Sequence, residues 1–131
     1  MSAPKKRILV VDDYGDSCAA MSLRLQALGY EAASVLTLQE ALRLARDQSF
    51  DLYILDLKFP DGSGFELCRQ IRSFDHQTPI IFHSGAARDV DEQMARAAGA
   101  QAFFQKPCSL EELDQTIVRL LGKPRTDGKA R

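Results

Sequence analysis

Acidic, hydroxyl and amine side chains stand close behind short apolar runs in this chain. The positions are Asp12 and Asp13, Asp56, Ser84 and Lys106. If the runs are parallel strands of one sheet, their carboxyl ends share an edge, where open sheets of this kind bind ligands. Three carboxylates there would repel, by roughly 4 kcal/mol for a pair about 4 Å apart at the effective dielectric of a protein surface. The cluster therefore needs a cation, and oxygen ligands with open water positions favour Mg²⁺ over zinc.

The same residues suit phosphoryl transfer, which depends on positioning and charge neutralisation more than on covalent chemistry. Mg²⁺ and the Lys106 ammonium would supply positive charge to the phosphoryl oxygens. Each residue also has a structural alternative when taken alone. Asp12 and Asp13 could cap the following helix, Lys106 could be a solvated lysine, and Ser84 could serve turn geometry. Their joint occurrence with Asp56 favours a metal and phosphoryl site.

Bulk composition excludes several classes of function. The chain has 131 residues, of which 45% are hydrophobic and 27% charged, and this fits one globular domain. Net charge is −1, from 17 basic and 18 acidic residues, so nothing attracts nucleic acid or an anionic membrane over the whole surface. The 3 cysteines lack CxxC spacing, which argues against a disulfide framework or a structural zinc site. No apolar run reaches the length of a signal-peptide core or a membrane span, which predicts a cytoplasmic protein.

Short apolar runs alternate with segments of helical period, which predicts the order (βα)₅. The predicted strands cover residues 8–11, 32–35, 52–55, 79–82 and 102–104. Because the runs are almost wholly apolar, we expect a parallel sheet that helices bury on both faces. Thr37 and Ser109, each with a glutamate three residues later, predict the starts of the second and fifth helices. The fourth helix is predicted to end at Gly99, from the helical spacing of Val90, Met94, Ala97 and Ala98.

Four stretches together resemble the response-regulator receiver family of two-component signalling. They are Ile8-Leu9-Val10-Val11-Asp12-Asp13, Asp56-Leu57-Lys58-Phe59-Pro60-Asp61-Gly62-Ser63-Gly64, Ser84-Gly85-Ala86 and Lys106-Pro107. The resemblance covers about residues 5–122. It implies an α/β, flavodoxin-like (βα)₅ fold, with a five-stranded parallel sheet in the order 2-1-3-4-5 and helices on both faces. Residues 1–122 would then be one receiver domain, and residues 123–131 a basic tail or linker stub that we expect to be disordered.

The resemblance also implies roles for the residues at the predicted sheet edge. Asp56 would be the phosphoacceptor. Asp13, Asp56 and the backbone carbonyl of Lys58 would ligate Mg²⁺, and Asp12 would act mainly through a coordinated water. Lys106 would reach the phosphoryl group or the Asp56 carboxylate.

Two further residues are implied to switch with phosphorylation. Ser84 would hydrogen-bond a phosphoryl oxygen, and its movement would vacate space for Phe103 to turn inward. That rearrangement would alter the surface of the fourth helix, the fifth strand and the fifth helix. The Lys106–Pro107 peptide is expected to be cis, which would aim the lysine into the site.

The resemblance further implies a sensor histidine kinase or phosphotransfer protein and an unidentified output partner, and it leaves a phosphorylation-dependent dimer open. We expect no direct binding of nucleic acid, no membrane association, and no enzymatic activity beyond self-phosphorylation and autodephosphorylation. One alternative is a receiver-fold binding module that works independently of phosphorylation. A dehalogenase-like phosphatase would need a second aspartate two residues after Asp56, where Lys58 stands. A nucleotide-binding flavodoxin-like protein would need a glycine-rich loop after the first strand.

Overall fold

Five parallel strands form the centre of the molecule. The computed structural model describes residues 4–85 and 90–122. Its central sheet contains β1 Arg7–Val11, β2 Glu31–Val35, β3 Leu52–Leu55, β4 Ile80–Ser84 and β5 Ala102–Gln105. The strands lie in the order β2-β1-β3-β4-β5, and every neighbouring pair is parallel. The predicted fold class and strand order are confirmed.

Helices cover both faces of this sheet. They are α1 Gly15–Ala27, α2 Leu38–Asp47, α3 Gly64–Arg72, α4 Asp91–Ala97 and α5 Leu110–Leu121. One core lies beneath α2, α3 and α4 and includes Leu9 and Val11 of β1. The other lies beneath α1 and α5 and includes Ile8 and Val10 of the same strand. Successive strand residues therefore face opposite apolar cores, which explains why the strand runs contain so few polar residues.

Hydroxyl side chains cap the amino ends of three of the helices. The Thr37 and Ser109 oxygens each accept a hydrogen bond of 3.2 Å from the backbone amide three residues later, as predicted for α2 and α5. Ser63 begins α3 in the same way, at 3.2 Å from the amide of Glu66. The pattern of Ser63 followed three residues later by Glu66 carries the same capping signal, which the sequence prediction did not use.

Strand β4 and the loop after β3 differ from the prediction. The prediction began β4 at residue 79 and ended it at 82, but the strand runs from Ile80 to Ser84 because His83 and Ser84 continue the pairing with β5. Both are polar, so a criterion based on apolar runs ends the strand too early. The loop after β3 contains a short antiparallel pair, Lys58–Phe59 with Gly62–Ser63, which was not predicted. Two-residue strands are too short to show a period in sequence.

The apolar pattern predicted α4, but of the four residues in that pattern only Ala98 is buried. Val90 and Met94 are 49% and 43% exposed, whereas Asp91 and Ala95 are 3% and 0% exposed. Helix α4 thus packs on its sheet through small side chains, and its larger apolar side chains face solvent.

Some expectations concern residues that the structure does not describe. The predicted tail, residues 123–131, and Ala86 of the third motif lie outside the described residues. Within the ranges 4–85 and 90–122, no helix has the length and hydropathy needed to cross a bilayer.

Candidate functional site

The ends of β1 and β3 bring three carboxylates together. Backbone hydrogen bonds continue past these strands, from the Asp12 amide to the Val35 carbonyl at 3.2 Å and from the Asp56 amide to the Val11 carbonyl at 2.9 Å. Carboxylate oxygens of Asp12, Asp13 and Asp56 consequently lie within 4.8 Å of one another. Asp12 is buried, Asp56 is half-buried and Asp13 is exposed. The cluster is therefore open to water on one side, as an ion that keeps part of its hydration shell requires.

Lys106 enters this cluster from the end of β5. Its backbone amide donates to the Ser84 carbonyl at 2.8 Å, and its peptide bond to Pro107 is cis, as expected. The ammonium nitrogen lies 2.8 Å from Asp12 Oδ2 and 3.7 Å from Asp56 Oδ2. The lysine reaches the Asp56 carboxylate as predicted, but its nearer partner is Asp12.

The Asp12 carboxylate accepts three hydrogen bonds from the described residues. Oδ1 accepts from the Tyr14 amide at 3.0 Å, and Oδ2 accepts from the Ser17 hydroxyl at 2.9 Å as well as from Lys106. Burial raises the pKa of Asp12, but the hydrogen bonds from Lys106, Tyr14 and Ser17 outweigh it and hold the pKa below its ordinary value. Because Tyr14 is the N-cap residue of α1, Asp12 bonds ahead of the helix and caps no amide of the first turn. Ser17 had no predicted role.

Two close contacts shape the loop that follows Asp56. The Leu57 amide donates to Asp56 Oδ1 at 2.6 Å, and the Gly64 amide donates to the Leu57 carbonyl at 2.7 Å. A Cβ atom at Gly64 would lie 2.1 Å from the carbonyl oxygen of Asp56. Only glycine allows α3 to begin this close to the Asp56 backbone. Lys58 is exposed on the short antiparallel pair, and the role of its carbonyl as a metal ligand stays a prediction.

Asp61 connects the same loop to α2, a contact that the sequence prediction did not include. Its two carboxylate oxygens accept from the amides of Leu38 and Gln39 at 3.1 and 3.2 Å. These amides lie in the first turn of α2, where they have no partner within the helix and where the helix dipole favours negative charge. The carboxylate thus fixes the loop after Asp56 against the start of a neighbouring helix.

The remaining predicted site residues lie on β4 and β5. Ser84 is fully buried at the end of β4, where it pairs with Gln105. Phe103 is half-buried beside the core beneath α2 to α4, with its ring centroid 6.3 Å from that of Phe82, while Phe104 packs against the other core. The two phenylalanines face opposite sides of the sheet, as expected for adjacent strand residues.

His83 and Cys108 approach each other on the side of the sheet that α1 and α5 cover. Nε2 of His83 and Sγ of Cys108 are 3.6 Å apart. Burial lowers the pKa of His83, and the Lys106 ammonium lowers it further. Burial also raises the pKa of the Cys108 thiol. Both groups therefore favour their neutral forms at neutral pH.

The donor atoms of the cluster fit Mg²⁺. Asp12, Asp13 and Asp56 offer carboxylate oxygens only, and carboxylate and water oxygens are the ligands that Mg²⁺ prefers. Three carboxylates meet at this edge and the Lys106 ammonium contacts two of them, Asp12 and Asp56, so negative charge exceeds positive charge within the described contacts. A divalent cation would relieve that excess.

Comparison with known proteins gives one family. The model of the response regulator receiver domain matches residues 8–118. The chain is 33% identical to the transcriptional regulatory protein AfsQ1 of Streptomyces coelicolor, over 87% of this chain and 50% of AfsQ1. It is 30% identical to the polar-differentiation response regulator DivK of Brucella anthropi, over 89% of this chain and 97% of DivK. The chain thus spans about half the length of AfsQ1 and nearly all of DivK.

A solved structure shares the same architecture. The response regulator protein TrrA of Thermotoga maritima, crystallised in complex with Mg²⁺-BeF, superposes with a TM-score of 0.81 at 32% identity. The superposition covers 88% of this chain and 99% of TrrA.

Proposed function

The chain belongs to the response regulator receiver domain family of two-component signalling, and from this membership we propose that Asp56 is its phosphoacceptor. The donor would be a phosphohistidine on a sensor histidine kinase or a phosphotransfer protein in the cytoplasm. The observation that carries the proposal is the meeting of Asp12, Asp13 and Asp56, within 4.8 Å of one another, with the Lys106 ammonium.

The proposed transfer moves one phosphoryl group from nitrogen to oxygen. An Asp56 carboxylate oxygen attacks phosphorus, a P–O bond forms, and the P–N bond breaks as the imidazole leaves. Asp13, Asp56 and the carbonyl of Lys58 would hold Mg²⁺, with Asp12 acting through a water. When bound, the ion supplies positive charge to the phosphoryl oxygens. Lys106 adds a second positive charge that the chain itself positions.

The acyl phosphate on Asp56 would then rearrange its surroundings. It adds roughly −1.5 to −2 of charge and three acceptor oxygens. Ser84 would donate to one of these oxygens, and Phe103 would turn toward the space that Ser84 leaves. The change would reach the surface formed by α4, β5 and α5, where an output partner or a second copy of the chain would bind. The domain would occupy residues 1–122, and hydrolysis of the acyl phosphate would reset it.

The names of the relatives suggest two kinds of output. AfsQ1 is a transcriptional regulatory protein of which this chain matches half, and DivK is a response regulator that it matches almost entirely. We propose that residues 1–122 act by docking a partner and that they do not bind nucleic acid directly.

Intact-protein mass spectrometry tests the phosphoacceptor assignment. Wild type and Asp56→Asn are incubated with acetyl phosphate, with and without Mg²⁺. The expected result is one phosphoryl adduct, in wild type only and with Mg²⁺ only. A folded wild-type protein that binds Mg²⁺ but takes no phosphoryl group from acetyl phosphate or from a panel of sensor kinases would support the alternative, a binding module that works without phosphorylation.

A further inference from the structure

Ser17 lies inside the acidic cluster although it belongs to no recognised motif. It is half-buried in the first turn of α1. Its hydroxyl oxygen is 2.9 Å from Asp12 Oδ2 and 3.3 Å from the Lys106 ammonium nitrogen. The third side of the triangle is the 2.8 Å contact between Lys106 and Asp12 Oδ2. The three polar groups are thus mutually bonded.

The directions of these hydrogen bonds are fixed by chemistry. An ammonium group only donates and a carboxylate only accepts, whereas a hydroxyl has one proton to donate and lone pairs to accept. Ser17 therefore donates to Asp12 and accepts from Lys106. Lys106 therefore has two acceptors on the α1 side, Asp12 Oδ2 and the Ser17 hydroxyl. Asp56 Oδ2 is farther from the ammonium nitrogen, at 3.7 Å.

We propose that Ser17 is a positioning residue that holds Lys106 on Asp12 while Asp56 carries no phosphoryl group. This role rests on the proposed function, because the lysine must leave Asp12 and Ser17 to reach a phosphoryl oxygen on Asp56. The hydroxyl stabilises only the unphosphorylated arrangement. It therefore shifts the balance of the two states against phosphorylation, as any group that bonds to one state alone must do.

Removing the hydroxyl should favour the phosphorylated state. In Ser17→Ala, Lys106 loses one acceptor and Asp12 loses one donor, so the lysine leaves Asp12 more readily. Loss of one such hydrogen bond corresponds to roughly a threefold to tenfold faster phosphorylation by acetyl phosphate at fixed Mg²⁺. Ser17→Thr keeps a hydroxyl and should restore the wild-type rate.

Helix α1 offers a matched control for this substitution. Ser22 of the same helix is buried, and its hydroxyl has no hydrogen-bond partner among the described residues. Ser22→Ala removes the same atom from the same helix without touching Lys106, and it should leave the phosphorylation rate unchanged. Equal rate changes in Ser17→Ala and Ser22→Ala would overturn the proposal, since both would then report on the helix alone.

Dependence on Lys106 separates positioning from general packing. In a Lys106→Ala background, Ser17→Ala should have no further effect on the phosphorylation rate, because the group that it holds is gone. The same fold-change with and without Lys106 would contradict the proposal.

A second readout needs no phosphoryl group. Heteronuclear NMR of the lysine ammonium groups, in Mg²⁺-free buffer, detects Lys106 by a signal that Lys106→Arg removes. This signal should be protected from water exchange in wild type, Ser22→Ala and Ser17→Thr, and should broaden in Ser17→Ala. An unchanged signal in Ser17→Ala would refute the proposal. If no variant accepts a phosphoryl group, the proposed function fails, and the NMR result still decides whether Ser17 holds Lys106.

Discussion

The two ends of the parallel sheet handle charge in opposite ways. At the amino edge, where the strands begin, Arg7 donates to Glu31 at 2.6 Å, to the Ser49 carbonyl at 2.6 Å and to Gln48 at 2.7 Å. At the carboxyl edge, the carboxylates of Asp12, Asp13 and Asp56 lie together, and the Lys106 ammonium contacts Asp12 and Asp56.

A second arginine repeats the amino-edge arrangement. Arg72 donates to the Gly99 carbonyl at 2.8 Å, to the Asp75 carbonyl at 3.0 Å and to Gln101 at 3.1 Å. Gln101 in turn accepts from the Ile80 amide, the first residue of β4, at 2.8 Å. Each arginine contact pairs a guanidinium donor with a backbone or side-chain oxygen.

The difference indicates what each edge is for. Hydrogen-bonded arginines at the amino edge stabilise the fold without any ligand. Excess negative charge at the carboxyl edge costs folding free energy until a cation binds. If the proposed function is right, stability and binding lie at opposite ends of the same strands, and substitutions at the two edges should have opposite signatures.

The largest loss of folding stability is expected at Gly64, which lies against the Asp56 backbone at the carboxyl edge. Gly64→Ala would put a Cβ atom 2.1 Å from the Asp56 carbonyl oxygen and 2.8 Å from a ring carbon of Phe82. A backbone oxygen cannot move aside, so the free energy of unfolding should fall by about 3 kcal/mol. Urea denaturation measures it. Gly15→Ala is the matched control and should not destabilise, because among the described residues nothing beyond its own helix backbone and its two chain neighbours lies within 4 Å of the new Cβ. Equal stabilities for the two variants would contradict the close contact.

The next effect is confined to the amino edge. Arg72→Ala removes the donors to Gly99 and Gln101, and the free energy of unfolding should fall by about 2 kcal/mol because charged donors are lost from a half-buried network. Its Mg²⁺ affinity, measured by calorimetry, should equal that of wild type. Arg72→Lys keeps the charge but cannot form the forked contacts, so it should also be destabilised. A large loss of Mg²⁺ affinity in either variant would break the separation of the two edges.

Two aspartates, Asp51 at the amino edge and Asp13 at the carboxyl edge, test whether a carboxylate stabilises one edge and destabilises the other. In Mg²⁺-free buffer, Asp51→Ala leaves the Arg7 amide without its 2.8 Å acceptor, and stability should fall by about 1 kcal/mol. Asp13→Ala relieves repulsion, and after screening by solvent its stability should rise by up to about 1 kcal/mol. Added Mg²⁺ should raise the melting temperature of wild type and Asp51→Ala but not of Asp13→Ala. A destabilised Asp13→Ala would show that the carboxylate cluster is not repulsive.

The smallest expected effect is on folding stability at low pH, through Asp75. Asp75 Oδ1 accepts from the amides of Gln77 and Thr78, both at 3.0 Å. Burial raises the pKa of Asp75, but the hydrogen bonds from Thr78 and Gln77 outweigh it and lower the pKa below its ordinary value. The ionised form therefore contributes stability above about pH 4, and this contribution is lost as pH falls through the lowered pKa. Asp75→Asn should flatten the acid side of the stability profile by less than about 1 kcal/mol. An unchanged dependence of stability on pH in Asp75→Asn would show that the Asp75 carboxylate does not stabilise the amino edge.

The sequence predicted the sheet and the gathering of residues at the carboxyl edge for the same reason. Apolar runs mark buried strands, and Asp12, Asp56 and Lys106 follow closely on the ends of such runs. Their meeting point then depends only on the parallel topology. The cis peptide before Pro107 was also expected, from the resemblance to the family.

The contacts that hold these residues in place could not be predicted. Ser17 meets Lys106 across 89 positions of sequence, and Arg72 meets Gly99 across 27. Such pairs depend on how each helix is rotated on the sheet, which residue type and spacing do not determine. Asp61 stands in the sequence Pro60-Asp61-Gly62, which is a turn signal and does not indicate a contact with a helix. Its bonds to α2 depend on where that helix begins in space.

Chemical mapping of the phosphoryl group tests the central claim most directly. Wild-type protein is treated with acetyl phosphate and Mg²⁺ and then reduced with borohydride, which converts an aspartyl phosphate to homoserine, before peptide mass spectrometry. We predict homoserine at position 56 alone, and only when acetyl phosphate and Mg²⁺ are both present. Aspartate left intact at position 56, with the phosphoryl group found at His83 or any other residue, would contradict the account.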